Sequence, residues 1–336
     1  MMMYISFTLI FVLSLVCIFI VKHYARDMGL IDIPNERSTH KKEIPRGAGI
    51  GFFLASIVVL SYFFSEVLYA YMWVNVAIWS VFFMGVWDDY YDSHPYAKFF
   101  IFIVATVLIS FDNLCIDSLG TYFGTELSLG WMTLPFTIFA VVGFTNATNL
   151  IDGLDGLAAS ISIIILATFY LVGYEYSDTF MMLLSGAFIA GLLAFLVYNW
   201  SPASIFMGDS GSLTLGFVIS VLAVKSLAYI PAISIFYIGA IPIMDTLIVM
   251  TRRKLRGKSM FKGDQCHMHH LLKQIFSGYT AKTVILLSGV QIVYSSFGIF
   301  FQDKIDSGYL LVFFILNLVI LYYILNLKIR QEGQEC

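Results

Sequence analysis

Long apolar stretches recur along this 336-residue chain and leave it few choices of fold. Hydrophobic residues make up 59% of it and charged residues 12%, whereas soluble domains carry about 25% charged residues. A helix that crosses a membrane needs about 20 mostly apolar residues, and eleven candidate spans can be placed, several of them short. The sequence therefore predicts an all-α polytopic membrane protein, a single integral-membrane domain over 1–336. The candidate spans are 3–21, 48–66, 70–87, 97–111, 131–146, 157–173, 180–198, 212–229, 231–250, 282–301 and 308–326.

The basic residues orient these spans. With the N-terminus outside, 17 of the 19 lysines and arginines fall on inner segments, and only Lys225 and Lys304 fall outside. Positive charge accumulates on the cytoplasmic side of membrane proteins, so we expect the N-terminus outside and the C-terminus in the cytoplasm. The run 3–21 has no basic residue before it and no small-x-small cleavage site after it, which indicates a retained span. Acidic residues of the outer loops, such as Asp178, are interpreted as solvated loop charges.

Polar residues interrupt the apolar pattern at four places. Within 146–156, Asn146 and Asn149 are three residues apart, as are Asp152 and Asp155, and this spacing places side chains on one face of a helix. Polar groups cost several kcal/mol in hydrocarbon unless they are paired. All four clusters fall on the inner side, although the topology was drawn without them, which predicts one site facing the cytoplasm. The clusters are 88–92, 146–156, 206–212 and 266–270, and the inner loops that form the site are 22–47, 88–97, 146–156, 199–212 and 251–281.

The residue types in these loops suit a phosphorylated substrate. The carboxylates and amides supply oxygen ligands of the kind that Mg²⁺ or Mn²⁺ prefers. A basic loop from Arg252 to Lys262, with the histidines after it, stands opposite them. A metal ion that bridges phosphate oxygens while arginine and lysine hold the remaining charge would serve a diphosphate. The segment 257–259 resembles the end of a P-loop, but Arg252 occupies the position of its first glycine, which excludes an ATPase.

Each cluster also has a simpler interpretation. A basic loop beside a membrane is typical of topology and lipid headgroup binding. Cys266 and the nearby histidines could hold zinc, and the pair Asp88 and Asp89 also fits a proton or cation pathway. Asp245, inside the candidate span 231–250, is interpreted as structural, either capping a helix end or pairing with Arg252.

Two other classes of protein compete with an enzyme. An ion-coupled transporter predicts charges near the bilayer midplane and discontinuous helices, whereas the carboxylates here cluster at the cytoplasmic ends of spans. A non-catalytic scaffold would tolerate the loss of Asp88 or Asp209, and both are present. Nothing in the sequence indicates a nucleic-acid partner.

Four motifs in this order resemble the polyprenyl-phosphate N-acetylhexosamine-1-phosphate transferase family. They are Asp88-Asp89, the stretch 146–156, the Phe-Met-Gly-Asp segment 206–209 and the His-x-His-His segment 267–270. The form of the histidine segment resembles the branch that uses undecaprenyl phosphate and UDP-GlcNAc. The resemblance implies Mg²⁺-dependent transfer of a sugar phosphate from a UDP-N-acetylhexosamine to undecaprenyl phosphate, with release of UMP. Transfer from UDP-GalNAc or from the UDP derivative of a 6-deoxy amino sugar is the alternative.

The resemblance also implies a bacterial inner-membrane enzyme at the first membrane step of a cell-surface polysaccharide, such as a cell-wall polymer or the O-antigen of lipopolysaccharide. A homodimer is compatible with the family, although nothing in the spans specifies a dimer face.

The resemblance implies catalytic roles for a few positions. Asp209 resembles the principal Mg²⁺ ligand, and Asn149 resembles a second. Asp88, with its neighbour Asp89, resembles the acidic pair beside the lipid phosphate, and Lys98 resembles a lysine that contacts phosphate. Much of a phosphomonoester is already a dianion at neutral pH, so we expect Asp88 mainly to position the acceptor. A covalent phospho-aspartate route stays open.

The resemblance implies substrate binding at further positions. Asn199 and Phe206 are similar to uridine-binding positions, with the phenyl ring stacked on uracil. The other implied contacts with the nucleotide, the diphosphate or the sugar are Asn146, Asp152, Asp155, Arg252, Arg253, His267, His269, His270 and either Lys41 or Lys42. Cys266 matches no family role.

Overall fold

The structure, a computed structural model, describes residues 1–34, 42–257 and 267–331. It is almost entirely helical, as the apolar runs predict. Its α-helices in chain order are α1 Met2–Tyr24, α2 Ala48–Phe63, α3 Ser65–Ala70, α4 Met72–Tyr91, α5 Pro95–Ser110, α6 Thr133–Leu150, α7 Leu157–Glu175, α8 Thr179–Asn199, α9 Asp209–Ser226, α10 Ala232–Ile238, α11 Ala240–Leu255, α12 Met268–Ile275, α13 Thr280–Phe301 and α14 Ser307–Gln331.

Two short antiparallel pairs of strands join the helices. The strands β1, Ile31–Asp32, and β2, Ile44–Pro45, pair just before α2. The strands β3, Ser118–Tyr122, and β4, Thr125–Ser128, form a hairpin between α5 and α6. The first pair matters for the site, because it fixes the backbone that leads into α2.

The helices agree with the predicted spans in position. In the described part of the chain six helices are long and apolar enough to cross a membrane, and the bent pair of α10 and α11 makes a seventh if it counts as one span. The helices α2 and α5 are apolar but shorter. The protein is therefore a multi-pass, all-α membrane protein, while eleven spans and their orientation stay predictions.

Helix α9 is the centre of the molecule. All of its side chains from Ser210 to Leu222 are buried, although a surface helix would expose one face. Small residues let neighbouring helices approach it closely. A Cβ atom on Gly49 of α2 would overlap the backbone of Gly211, and one on Gly85 of α4 would overlap the backbone of Asp209 and Ser210. The first turn of α9 is therefore held between α2 and α4, which positions Asp209.

The candidate span 231–250 is not a single helix. It breaks at Gly239, where α10 and α11 meet at an angle of 86°. Backbone groups freed by a break inside a membrane need internal partners. The buried side chain of Gln291, on α13, supplies them. Its Nε2 donates to the carbonyl of Ile238 at 2.8 Å, and its Oε1 accepts from the amide of Ile241 at 3.0 Å.

Three of the outer acidic residues make specific contacts, and for Asp178 and Asp112 the interpretation as solvated charges is wrong, whereas Asp306 is exposed. The side chain of Asp178 is 6% exposed, and its Oδ2 lies 3.3 Å from Nζ of Lys225 and 2.7 Å from the hydroxyl of Tyr229. Asp112 accepts a hydrogen bond from a backbone amide in the first turn of α4. Asp306 accepts from the amide of Gly308 at 2.7 Å. These carboxylates stabilise helix starts and a buried ion pair instead.

Candidate functional site

A cavity of about 360 Å³ opens where the inner loops meet the ends of the helices. Its walls come from the first strand pair, the ends of α4, α6 and α8, the start of α9 and the loop before α7. Residues from all four polar clusters contribute to it, as the sequence predicts. The lining residues are Asp32, Arg46, Asp89, Asn149, Asp152, Gly153, Leu154, Asp155, Asn199, Phe206, Gly208, Asp209 and His270.

A chain of three charged groups lies at one edge of this cavity. Nζ of Lys98, near the start of α5, lies 2.6 Å from Oδ2 of Asp88 and 2.6 Å from Oδ2 of Asp209. The Asp88 carboxylate also accepts a hydrogen bond from the backbone amide of Ser93 at 2.9 Å. Asp209 lines the cavity, whereas Asp88 and Lys98 lie behind it. The structure thus brings together three residues that are up to 121 positions apart.

The two asparagines of the cluster 146–156 have different surroundings. Nδ2 of Asn149 donates to Oδ1 of Asp209 at 3.1 Å and to the hydroxyl of Ser212 at 2.8 Å. Asn146 lies one turn earlier on α6 and does not line the cavity. The hydrogen bonds of Asn149 hold the Asp209 carboxylate from the side opposite Lys98.

Asp89 is tied to the N-terminus of α9. Its two carboxylate oxygens accept hydrogen bonds from the backbone amides of Asp209 at 2.7 Å and Ser210 at 3.0 Å. A carboxylate at a helix N-terminus satisfies amides that lack partners within the helix and favours the helix dipole. Asp89 is 2% exposed, so its contacts are those of a helix cap, while a catalytic role for it stays a prediction.

Two side chains join the loop 151–156 to the loop after α8. The side-chain oxygen of Asn199 accepts from the amide of Gly156 at 2.8 Å, and its Nδ2 donates to the carbonyl of Ile205 at 2.9 Å. Oδ2 of Asp155 accepts from the amide of Ala203 at 3.1 Å. Asn199 therefore fixes the wall that presents Phe206 to the cavity.

Asp152 faces concentrated negative charge. Burial raises the pKa of its carboxyl to about 7, and the carboxylates of Asp209, Asp89 and Asp155 add to the increase. Several carboxylates close together in one cavity suit a divalent cation, and Asp209, Asp152 and the amide oxygen of Asn149 are hard ligands of the type that Mg²⁺ takes. Among the described residues no group of three or more His, Cys, Asp or Glu side chains could hold a metal ion by itself. Mg²⁺ commonly binds one or two carboxylates and completes its shell with water and substrate phosphates, so the donor set fits.

The histidine segment divides into buried and cavity-lining residues. Nδ1 of His267 lies 2.7 Å from Oδ2 of Asp245, and Oδ1 of Asp245 accepts from the amide of Met268 at 2.6 Å. His269 is 2% exposed and packs against Gly153. Burial, with smaller effects of the neighbouring cations, lowers the pKa of His269 to about 3, which keeps it neutral. Only His270 of the three lines the cavity.

This arrangement bears on the expectations for Asp245 and for the histidines. Asp245 is structural, as expected, because its carboxylate contacts His267 and caps α12. Nε of Arg252 donates a hydrogen bond to the side-chain oxygen of Asn326, on α14, at 3.0 Å. His267 and His269 are buried beside Asp245 and are not among the residues that line the cavity, so their expected contact with a diphosphate stays a prediction. In the described part of the chain, these histidines do not belong to a group of three or more side chains that could hold zinc. Cys266 lies outside the described residues.

Four basic residues were expected to bind substrate. The structure describes three of them, and none of the three lines the cavity. Arg252 and Arg253, in the last turn of α11, are 3% and 7% exposed and lie away from the cavity lining. Lys42 is exposed and also lies away from it. Lys41 lies outside the described residues.

Sequence reasoning missed two lining residues, Arg46 and Asp32. Arg46 entered the sequence argument only as one of the inner basic residues. A signal was available, because Arg46 directly precedes the segment Gly47-Ala48-Gly49 on an inner loop. Asp32 belongs to β1 and carries no recognisable motif.

The comparisons with known proteins agree with this geometry. The sequence profile of glycosyl transferase family 4 matches residues 71–227. A probable undecaprenyl-phosphate N-acetylglucosaminyl 1-phosphate transferase of Bacillus subtilis (strain 168) is 37% identical over 273 residues, 78% of this chain and 76% of that protein. An undecaprenyl-phosphate alpha-N-acetylglucosaminyl 1-phosphate transferase of Escherichia coli (strain K12) is 30% identical over 288 residues, 83% of this chain and 78% of that protein. A protein of the same name from Escherichia coli O157:H7 is 28% identical over 94% of this chain and 88% of its own length.

The fold and the charged cavity, taken with these relatives, define a multi-pass membrane enzyme with a phosphotransferase activity. The chain belongs to glycosyl transferase family 4, and the sequence-based assignment to an enzyme is confirmed. The discontinuous helix that a transporter predicts is present at Gly239, but Gln291 and neighbouring apolar side chains surround it, and it does not line the cavity.

Proposed function

We propose that the protein transfers N-acetylglucosamine 1-phosphate from UDP-GlcNAc to undecaprenyl phosphate and releases UMP. The names of the relatives and the charged cavity of this protein support this reaction. The observation that carries the proposal is the ion chain of Asp88, Lys98 and Asp209 at the cavity edge. It places a shared cation between two carboxylates where two phosphorylated substrates would meet.

In this proposal the two substrates bind on different sides of the ion chain. The cavity, lined by Phe206, Asp152 and Asp209, holds the nucleotide sugar, and the ring of Phe206 stacks on the uracil. Asp88 and Lys98 lie outside the cavity lining, in the last turn of α4 and near the start of α5, and in this proposal these helix ends lie at the membrane boundary. The phosphate of the membrane-bound acceptor approaches from there, so that it meets the donor at Asp209.

Mg²⁺ is the cofactor in this proposal, with Mn²⁺ as a substitute, and Asp209 with Asn149 would hold it. When bound, it would supply positive charge to the phosphate oxygens that become more negative as UMP leaves. Asp152 is the further carboxylate close to this position, and its raised pKa reflects the same negative field.

The chain's own residues mainly position the reacting groups. Asp88 has a partner on each oxygen, Ser93 on Oδ1 and Lys98 on Oδ2, which favours a positioning role over a covalent phospho-aspartate. The acceptor phosphate is largely a dianion near neutral pH, because its second pKa is about 6. Lys98 then lowers the repulsion between that phosphate and the donor's diphosphate. The acceptor oxygen forms its new bond to the β-phosphorus as the bond from that phosphorus to the UMP oxygen breaks.

We place the enzyme in the bacterial inner membrane with this site toward the cytoplasm, where nucleotide sugars are made. The accumulation of basic residues on the inner segments supports that orientation. The product would be the first lipid-linked intermediate of a cell-surface polysaccharide.

The proposal is tested by measuring UMP release from purified protein in detergent. The assay contains undecaprenyl phosphate, Mg²⁺ and, in turn, UDP-GlcNAc, UDP-GalNAc and the UDP derivative of a 6-deoxy amino sugar. Release that requires lipid and metal, is fastest with UDP-GlcNAc and disappears in Asp209→Ala supports the proposal. Folded wild-type protein that releases no UMP with any of the three donors overturns it, and a faster reaction with another donor changes the sugar alone.

A further inference from the structure

The cavity carries far more negative than positive charge. Its described lining includes five carboxylates, and Arg46 is the one side chain in that lining with a permanent positive charge. The lining carboxylates are Asp32, Asp89, Asp152, Asp155 and Asp209. A diphosphate cannot enter such a cavity without cations to hold it, and a bound metal ion neutralises only part of this field.

The other groups that commonly bind phosphate are already engaged. The amides at a helix N-terminus often bind phosphate, but Asp89 accepts the hydrogen bonds of the first two amides of α9. The ammonium group of Lys98 lies 2.6 Å from each of two carboxylates and stands behind the cavity wall. The glycine-rich segment 208–211 therefore does not offer the first two amides of α9 to phosphate.

Arg46 is held at the cavity by its own backbone and by one of its nitrogens. Its amide donates to the carbonyl of Leu30 at 2.9 Å, beside the strand pair of β1 and β2. The next residues bind the Phe206 loop, since the amide of Ala48 donates to the carbonyl of Phe206 at 3.1 Å. Nη2 of Arg46 donates to the main-chain oxygen of Asp89 at 2.6 Å. Arg46 is thus fixed between the Phe206 loop, which its neighbour Ala48 binds, and the end of α4, which its guanidinium binds.

One donor of this fixed guanidinium is unused. Nε of Arg46 is buried and has no hydrogen-bond partner among the described residues. A buried donor without a partner costs about 1–3 kcal/mol, so this one calls for an explanation, and at the edge of a cavity a bound anion supplies it. The planar fork of an arginine matches two oxygens of a phosphate at once.

We infer that Arg46 binds the diphosphate of the nucleotide-sugar donor, a contact that sets the affinity for the donor and not for the lipid acceptor. The inference rests on the proposed function, because it takes the donor to be a nucleoside diphosphate sugar. The strand pair β1–β2 then serves to place this arginine over the phosphates, opposite the metal ligands.

The test compares Arg46→Gln and Arg46→Lys with Arg26→Gln. Arg26 lies on the same inner segment, but it is exposed and forms a surface ion pair with Glu43. Donor KM, acceptor KM and kcat are measured by UMP release. A separate measurement that needs no turnover records the rise in melting temperature when UDP and Mg²⁺ are added together.

Arg46→Gln is expected to raise the donor KM at least about tenfold, as the loss of a hydrogen bond between charged groups predicts, with the acceptor KM unchanged. Its stabilisation by UDP should largely disappear, Arg46→Lys should be intermediate, and Arg26→Gln should match the wild type. An unchanged donor KM and an unchanged response to UDP in folded Arg46→Gln would overturn the inference. If Arg46→Gln does not fold, Arg46→Lys decides, since a wild-type donor KM there also counts against the contact.

The two proposals fail in different ways. If UDP stabilises the wild-type protein through Arg46 but no UMP is released, the proposed transferase reaction is refuted and the proposed nucleotide contact stands. If the wild-type protein turns over and the reaction does not depend on Arg46, the transferase reaction is supported and the nucleotide contact is refuted.

Discussion

Lys98 is the residue on which the two halves of the site depend. Without its ammonium group the carboxylates of Asp88 and Asp209 would face each other unpaired, which is strongly destabilising for buried charges. In the resting site it balances these two carboxylates. During the proposed reaction it stands where the charges of two phosphorylated substrates meet.

Replacing Lys98 by glutamine is therefore expected to lower kcat by about 100-fold or more, the usual effect of removing one charge-stabilising donor. The matched control is Lys225→Gln, because Lys225 also pairs with an aspartate, Asp178, but at the end of α9 opposite Asp209. Lys225→Gln should lower the melting temperature and leave kcat close to that of the wild type. Equal losses of kcat in both variants would show that Lys98 acts only through folding.

Asp152 makes the site sensitive to pH. Its pKa is about 7 in the folded protein against an ordinary value of 3.8. Between these values the folded state binds more protons at Asp152 than the unfolded state, so the contribution of Asp152 to stability falls as pH rises from about 4 to about 7 and levels off above that. In the absence of divalent cations, Asp152→Asn should therefore melt at a higher temperature than the wild type at pH 8, with a smaller difference at pH 5.

The same variant should lose activity. The negative charge that it removes repels the neighbouring carboxylates, but it would also attract the divalent cation that the reaction needs. Melting curves in a chelator at pH 5 and pH 8 give the first result, and UMP release gives the second. A variant that is less stable than the wild type at pH 8 would contradict this account of Asp152.

The histidine segment should separate by function into positions that hold α12 and one position that meets substrate. His270→Asn should lower kcat/KM by at least about tenfold with little change in melting temperature, since His270 lines the cavity. His267→Asn should lower the melting temperature, because it weakens the buried contact with Asp245. Parallel kinetics and melting curves of the two variants measure this, and a reversed pattern would place the substrate contact on His267.

At the scale of elements, the bent pair of α10 and α11 determines where α12 lies. Helix α11 carries Asp245, which caps α12, and α12 brings His270 to the cavity. The break at Gly239 is possible because Gln291 binds the backbone groups that the bend leaves open. A side chain on α13 thus supports the site without touching it.

Gln291→Met should lower the melting temperature, because it leaves buried backbone groups unsatisfied at a cost of about 1–3 kcal/mol each. Ser295→Ala is the control, since Ser295 accepts one hydrogen bond from Nε2 of Gln291 and supports no backbone group at the break. Its melting temperature should fall less. A Gln291→Met protein as stable as the wild type would show that the bend does not need this side chain.

The positions of the helices could be predicted from the sequence, because hydrophobicity is a local property of each run. The bend at Gly239 could not, since the partner that stabilises it, Gln291, lies 52 residues further along the chain. For the same reason Asp178 looked like a solvated loop charge, although Lys225 and Tyr229 bury it.

In the site, too, local sequence features could be predicted and contacts between distant segments could not. Its acidic residues stand out as polar groups in an apolar sequence, and the structure places Asp88, Lys98, Asn149 and Asp209 in contact with one another. Arg46 could not be told from the other basic residues of the inner loops, because only the packing of β1 and β2 on the Phe206 loop separates it from them.

At the scale of the whole molecule, the fold assembles distant loops around one buried helix. Helix α9 begins with Asp209 at the cavity and ends near Lys225 at the opposite side, and its neighbours α2, α4 and α6 bring one part of the site each. In the proposed reaction, such a fold would let a water-soluble donor and a lipid acceptor reach Asp209 from different directions.

The most direct measurement follows the β-phosphate of the donor. UDP-GlcNAc labelled with ³²P in the β-phosphate is incubated with purified protein, Mg²⁺ and undecaprenyl phosphate, and the lipid and aqueous products are separated. The proposed reaction predicts label in the lipid, as undecaprenyl diphosphate N-acetylglucosamine, and unlabelled UMP in water. Label that leaves in water as UDP, with sugar alone on the lipid, would contradict phosphosugar transfer.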